Sequence, residues 1–112
     1  MKKNIVAGLG EIGSQILKLI SKNSISIGYD IDPSLIDYKT FNKYEKLETE
    51  ILHICIPFNN KFEQNLVSLH DKFNPELIVI HSTVSPYTTK RIQDLLSIPI
   101  DRKSTRLNSS HT

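Results

Sequence analysis

The sequence predicts an α/β fold, a doubly wound parallel sheet with helices packed against it. Three observations carry that expectation. Strand-length segments recur that are apolar nearly throughout instead of alternating, as in strands covered on both faces. Segments with helical spacing separate them, which calls for right-handed crossovers between parallel neighbours. A glycine-rich turn joins the first strand to the first helix.

Residues 3–8 read as a short buried strand running into glycine. Residues 11–22 read as a helix, because Ile12, Ile16 and Ile20 recur at i, i+4 and i+8 beside Leu17 and Leu19. Residues 25–30 form a second strand that ends in an acid, and Asp32-Pro33 then opens a short helical turn. The polar stretch over 37–50 holds a short third strand near residues 39–42. Residues 51–56 are a strong strand closed by Pro57, followed by a turn at Phe58-Asn59-Asn60. Residues 61–73 are helical through Phe62, Leu66, Leu69 and Phe73, and Asn74-Pro75 stops that helix. Residues 77–82 form another buried strand. Ser85-Pro86 supplies the N-cap and first position of a helix over 86–97 carrying Ile92, Leu95 and Leu96, and Ile98-Pro99-Ile100 enters the next strand. Residues 1–100 thus read as one domain whose sheet is truncated after about five strands.

Composition narrows the function classes. With 38% hydrophobic and 23% charged residues the chain reads as soluble and globular. Its longest apolar runs are strand-length, far short of the ~20 residues of a membrane span, so no membrane partner is expected. Glycines interrupt the apolar N-terminal stretch too early for a secretory signal. The single cysteine, Cys55, permits no internal disulfide, so the expected location is cytoplasmic. The formal charge of +2 belongs to the last twelve residues, which carry three of the 14 basic residues and one of the 12 acidic ones. Residues 1–100 hold 11 of each sign, which argues against a nucleic-acid partner.

Those twelve residues differ in kind. Residues 1–100 contain 16 isoleucines and one arginine, whereas residues 101–112 contain no isoleucine and two arginines. The string Asp-Arg-Lys-Ser-Thr-Arg-Leu-Asn-Ser-Ser-His-Thr resembles one reading frame of a common short-read sequencing adapter. It is therefore expected to be a non-native, adapter-derived tail. On that expectation the natural protein continues past residue 100, and the codons for 101–112 test it directly.

Gly8-Leu9-Gly10-Glu11-Ile12-Gly13 fits the G-x-G-x-x-G pattern of a Rossmann dinucleotide-binding turn. Each glycine has its own task. Gly8 turns the strand sharply, Gly10 lets the backbone approach a pyrophosphate, and Gly13 lets helix and strand pack closely. The helix N-terminus then presents unpaired N–H groups to the phosphates. Asp30 follows Gly13 by 17 residues at the end of the second strand, near the expected ~20. It is placed to accept hydrogen bonds from ribose hydroxyls, which favours NAD over NADP, because a carboxylate repels a 2′-phosphate. The nearest following base is Lys39. Asp32 is the runner-up for this acid and reads first as a solvated helix-start residue, and Glu11 reads as a first-turn acid that complements the helix dipole.

The turn, together with Tyr29-Asp30-Ile31-Asp32, Cys55-Ile56-Pro57 and His81-Ser82-Thr83-Val84-Ser85-Pro86, resembles the cofactor domains of the nucleotide-sugar (UDP-glucose/GDP-mannose) dehydrogenases. The 6-phosphogluconate and 3-hydroxyacid dehydrogenases are similar. The resemblance covers about residues 3–97, and the Ser-Thr-Val-x-Pro segment is its most specific part. It implies that Ile31, Ile56, Pro57 and Phe58 line the cofactor cleft, with Ser82 and Thr83 near the nicotinamide. It also implies a small-molecule substrate handled by a missing C-terminal domain, catalytic residues beyond residue 100, and a parent protein that can form homo-oligomers. Two features depart from that family: the segment between Asp30 and Ile51 is short, and Tyr87 stands where a glycine is usual.

Other residues point to chemistry less strongly. Cys55, mid-strand, reads as a small buried hydrophobe and not as a nucleophile. His53 faces the same way as Cys55, a weak basis for a zinc site. His81 ends a strand at the active edge and reads first as a hydrogen-bonded structural histidine. His70 reads as solvated. No metal-ligand cluster or catalytic triad emerges. The leading expectation is the cofactor half of a hydride-transfer enzyme, inactive alone. The alternative is a nucleotide-sensing regulatory module of a transporter or channel, which would place an acid or amide where this chain has Pro57. A Rossmann-like methyltransferase is third, since it does not need Gly13.

Overall fold

Five parallel strands form one sheet in the computed structural model, which describes residues 1–81, 86–96 and 99–102. In chain order the elements are β1 (Lys2–Ala7), α1 (Glu11–Ile20), β2 (Ser26–Tyr29), a 3-10 turn (Pro33–Leu35), α2 (Tyr38–Lys43), β3 (Glu48–Ile54), α3 (Phe62–Phe73), β4 (Leu77–Ile80), α4 (Pro86–Leu96) and β5 (Ile100–Arg102). The strand order is β2-β1-β3-β4-β5, one of the common doubly wound arrangements. The chain steps from β1 to β2 on one side and then returns past β1 to lay down β3. The boundary between β1 and β3 is thus the topological switch, where such sheets bind ligands beyond the carboxyl ends of the strands.

Strand alternation sorts the side chains onto two faces. On one face Ile5 and Ala7 of β1, Ile27 of β2, Leu52 and Ile54 of β3, and Ile78 and Ile80 of β4 join Phe62, Leu66 and Leu69 of α3 and Ile92 of α4 in one buried cluster. Phe41 of α2 extends it, lying 6.3 Å from the Tyr29 ring and 6.5 Å from that of Phe73. On the opposite face Val6, Gly28, His53 and Val79 lie level with one another in register, and α1 packs there on β1 and β2. Strands covered on both faces were expected. That holds at β1, but on the α1 side of β3 and β4 His53 and Leu77 stay half-buried. The cause is topological, because α3 and α4 share the other face.

Two further expectations are corrected. Residues 39–42 are not a strand but part of α2. The Asp37 carboxylate accepts from the backbone N–H groups of Lys39 (3.2 Å) and Thr40 (3.4 Å) and from the Thr40 hydroxyl, which starts a helix where a strand would leave those groups free. In α1 the expected apolar face of Ile12, Ile16 and Ile20 beside Leu17 and Leu19 is covered only in part, with Ile12 62% and Leu19 63% exposed. Gly13 is the buried residue of that helix, with Ile16, Leu17 and Ile20 partly covered.

The remaining boundaries follow local chemistry. α3 ends at Asn74, whose φ of 48° is left-handed and whose N–H bonds the His70 carbonyl at 2.7 Å. β3 begins earlier than the apolar run, because Glu48 and Thr49 pair with Lys2 and Lys3 before a register shift that leaves Glu50 out of step. β5 pairs Asp101 and Arg102 with Val79 and Ile80. Those two residues belong to the adapter-like string, and ladder pairing uses the backbone whatever the side chain. The expected Ser85 N-cap lies outside the described residues.

Candidate functional site

The turn after β1 is shaped by its glycines. Gly8 has φ of +97°, and its N–H donates to the Tyr29 carbonyl at 2.9 Å, tying the end of β1 to the end of β2. A Cβ on Gly8 would lie 2.8 Å from the Cys55 carbonyl carbon and oxygen. A Cβ on Gly13 would lie 1.7 Å from the Gly8 carbonyl oxygen. Helix and turn therefore meet at a distance only glycine allows. Gly10 differs, because a Cβ there would meet nothing within 4 Å. It is the N-cap of α1 and supplies no side-chain cap to the first-turn N–H groups. That is the arrangement with which a helix N-terminus receives an anion.

Asp30 joins the turn to the second strand. Its Oδ2 accepts from the Leu9 N–H at 2.8 Å, and its Oδ1 accepts from the Asp32 N–H at 2.9 Å. Each carboxylate oxygen keeps a further lone pair, so Asp30 can accept from a ligand hydroxyl while holding the turn. Leu9 turns its side chain onto Gly28, where an added Cβ would meet it at 2.8 Å. Asp32 caps the 3-10 turn by accepting from the Ser34 N–H and hydroxyl, and the hydroxyl in particular holds its carboxyl below the usual range. It acts as the helix-start residue expected of it.

A cavity of about 560 Å³ opens beyond the carboxyl ends of β1, β2 and β3, at the switch. Gly8, Gly10, Asp30, Ile31, Ile56 and Pro57 all line it. Ile31 is 91% exposed, an apolar residue held in solvent at the cavity's edge. Leu9, Glu11, Ile12 and Gly13 shape the turn and helix start without being part of the wall. Phe58 is not part of it either; its ring packs edge-on against Phe62 at 5.2 Å. Ser82 and Thr83 lie outside the described residues.

Sequence reading missed the far wall. Asn65, Ser68, Leu69 and Lys72 of α3 line the cavity. Their spacing of i, i+3, i+4 and i+7 is one helical face, a signal obscured by its mixed polarity. Lys72 is the basic residue of the wall and stands over the Tyr29 ring at 5.5 Å.

The residues that suggested other chemistry are also placed. Cys55 sits under the turn, and burial pushes its thiol up to about 11, against a nucleophilic role. His53 and His81 meet, with Nδ1 of one 2.9 Å from Nε2 of the other. Burial first, and the neighbouring His81 second, bring His53 down to about 4, so it is neutral near pH 7. His70 is not solvated as expected: its side chain is 16% exposed and reaches Asp71 at 3.5 Å. Among the described residues no three His, Cys, Asp or Glu side chains gather into a metal-binding group, and no helix is long and apolar enough to cross a membrane. A second cavity of about 490 Å³ includes Lys3, Glu48 and Thr49 at the amino-terminal ends of β1 and β3, and Lys72 lines both cavities. Comparison with protein-family models, curated proteins and solved structures finds no match.

Proposed function

We propose that this chain is the Rossmann-type cofactor domain of an oxidoreductase and binds a nicotinamide dinucleotide, NAD in preference to NADP, in the cavity beside Gly8, Gly10 and Asp30. The observation that carries this reading is the bond from the Leu9 N–H to the Asp30 carboxylate. It ties Asp30 to the glycine turn itself, which supports a reading in which the acid takes the ribose and the turn the pyrophosphate. The uncapped start of α1 and the space at Gly10 supply the phosphate half. Asp30 disfavours a 2′-phosphate by charge.

The oxidoreductase part rests on the resemblance of the turn, the Ile56-Pro57 edge and the Ser82-Thr83-Val84 segment to the nucleotide-sugar and 3-hydroxyacid dehydrogenases. On this reading the parent protein takes hydride from a hydroxyl-bearing substrate, and the residues that do so lie beyond this chain. The chain alone binds cofactor without turnover.

NADH fluorescence titration tests the reading. Wild type should saturate and bind NADH more tightly than NADPH. Hydrogen bonds to a charged group contribute about 1.5–3 kcal/mol, so Asp30→Ala should weaken NADH by roughly 10- to 150-fold. Asp30→Asn keeps an acceptor for Leu9 and isolates the charge. No saturation by wild type, or unchanged affinity in Asp30→Ala, rejects the assignment.

A further inference from the structure

We propose that His53 and His81 form a two-ligand site for a borderline transition-metal cation, Cu²⁺ foremost, on the α1-side face of the sheet. The strands build the pair. β3 and β4 pair His53 with Val79 and Ile54 with Ile80, and the His81 N–H continues the ladder by donating to the Ile54 carbonyl at 2.9 Å. His81 therefore lies on the same face as His53, diagonally beyond it. The ring centroids are 5.1 Å apart while the facing nitrogens are 2.9 Å apart, so the rings meet edge to edge. Both rings stay half-buried, reachable from solvent.

With both rings neutral, a pair bonded in this way holds one N–H and one lone pair between its nitrogens. A cation binds both once the donor ring passes that hydrogen, through solvent, to its other nitrogen. Two lone pairs then face the metal and no net proton is released. Metal–nitrogen bonds run to about 2.0–2.1 Å, so nitrogens 2.9 Å apart subtend roughly a right angle at a shared metal. That is the bite of two neighbouring positions in a tetragonal site, which suits Cu²⁺ or Ni²⁺ better than tetrahedral Zn²⁺. Rotation about the broad terminal torsion of each histidine brings the lone pairs to a common point. Water completes the coordination, and the stability order of divalent ions puts Cu²⁺ first.

Copper titration of the full chain, followed by calorimetry and electron paramagnetic resonance, tests the site. One Cu²⁺ should bind per chain with a spectrum showing two imidazole nitrogens, and Ni²⁺ and Zn²⁺ should compete more weakly. His53→Asn and His81→Asn should each lower affinity about tenfold or more, since each removes half of a chelate. His70→Gln should leave it unchanged. If the asparagine variants fail to fold, wild type still decides: bound Cu²⁺ should shield His53 and His81 from diethylpyrocarbonate, read by mass spectrometry. Unchanged affinity in both folded asparagine variants, labelling that copper does not reduce, or no saturable binding at micromolar copper overturns the proposal.

Discussion

Gly13 and Gly10 are chemically identical and separated by two residues, yet they answer to different constraints. A Cβ at Gly13 meets backbone at 1.7 Å, and backbone cannot rotate aside. Overpacking ordinarily costs about 1–3 kcal/mol, and Gly13→Ala should reach or exceed the upper end of that range in urea denaturation. A wild-type midpoint would show that the turn can open. Gly10→Ala meets open space. It should keep nearly full stability and, if the proposed cofactor binds here, weaken NADH, because its methyl group would occupy the room proposed for a phosphate. His53 sets a pH limit. Its value is about 4 in the fold against 6.5 when free of it, so between those values the unfolded chain takes up the proton first. Stability is full above about pH 6.5 and falls as pH drops toward 4. In metal-free protein, denaturant midpoints measured across that window should decline for wild type and more shallowly for His53→Asn. Equal slopes would remove His53 as the cause.

Among the elements, α3 carries the core and α1 carries the turn. Leu66 is fully buried between α3 and the sheet, so Leu66→Ala should cost about 2–5 kcal/mol in equilibrium unfolding. Ile12→Gln should shift stability by no more than about 0.5 kcal/mol, since Ile12 stands in solvent. A large loss there would mean that Ile12 is covered in solution. The contrast shows what sequence could reveal. Helical spacing located both helices, and for α3 it also identified the buried Phe62, Leu66 and Leu69. For α1 it did not, because an apolar stripe is wider than the contact a lone helix makes with a sheet. For a related reason, residues 39–42 form helix where a third strand was expected. A short polar segment follows whichever local bond is strongest, and the Asp37 cap outweighs the weak pattern around Phe41. The glycine turn and Asp30 were legible because each position has a steric or electrostatic requirement that few residues meet. The α3 wall of the cavity was not, because Asn65, Ser68 and Lys72 become neighbours of Asp30 only through tertiary packing.

For the molecule as a whole, the strand order places β3 at the centre, β1 and β4 on either side of it, and β2 and β5 at the edges. Amide exchange should follow that order. Ile5, Val6, Leu52 and Ile54, each fully buried, should exchange at rates near global unfolding, and the amides of β2 and β5 should open earlier. Uniform protection across the sheet would contradict this layering. The same order sets the candidate site where two crossovers diverge, so the cleft is bounded by elements distant in sequence, from the turn after β1 to α3.

The unequal crowding at the two glycines also bears on descent. At Gly13 the nineteen other residue types share the one atom that has no room, so any lineage that keeps this turn keeps that glycine whether or not it binds a nucleotide. At Gly10 the backbone sets no such bar. On the proposed reading, a homologue that binds no dinucleotide is free to vary there, so drift at Gly10 beside constancy at Gly13 would mark relatives that keep the fold without the proposed ligand.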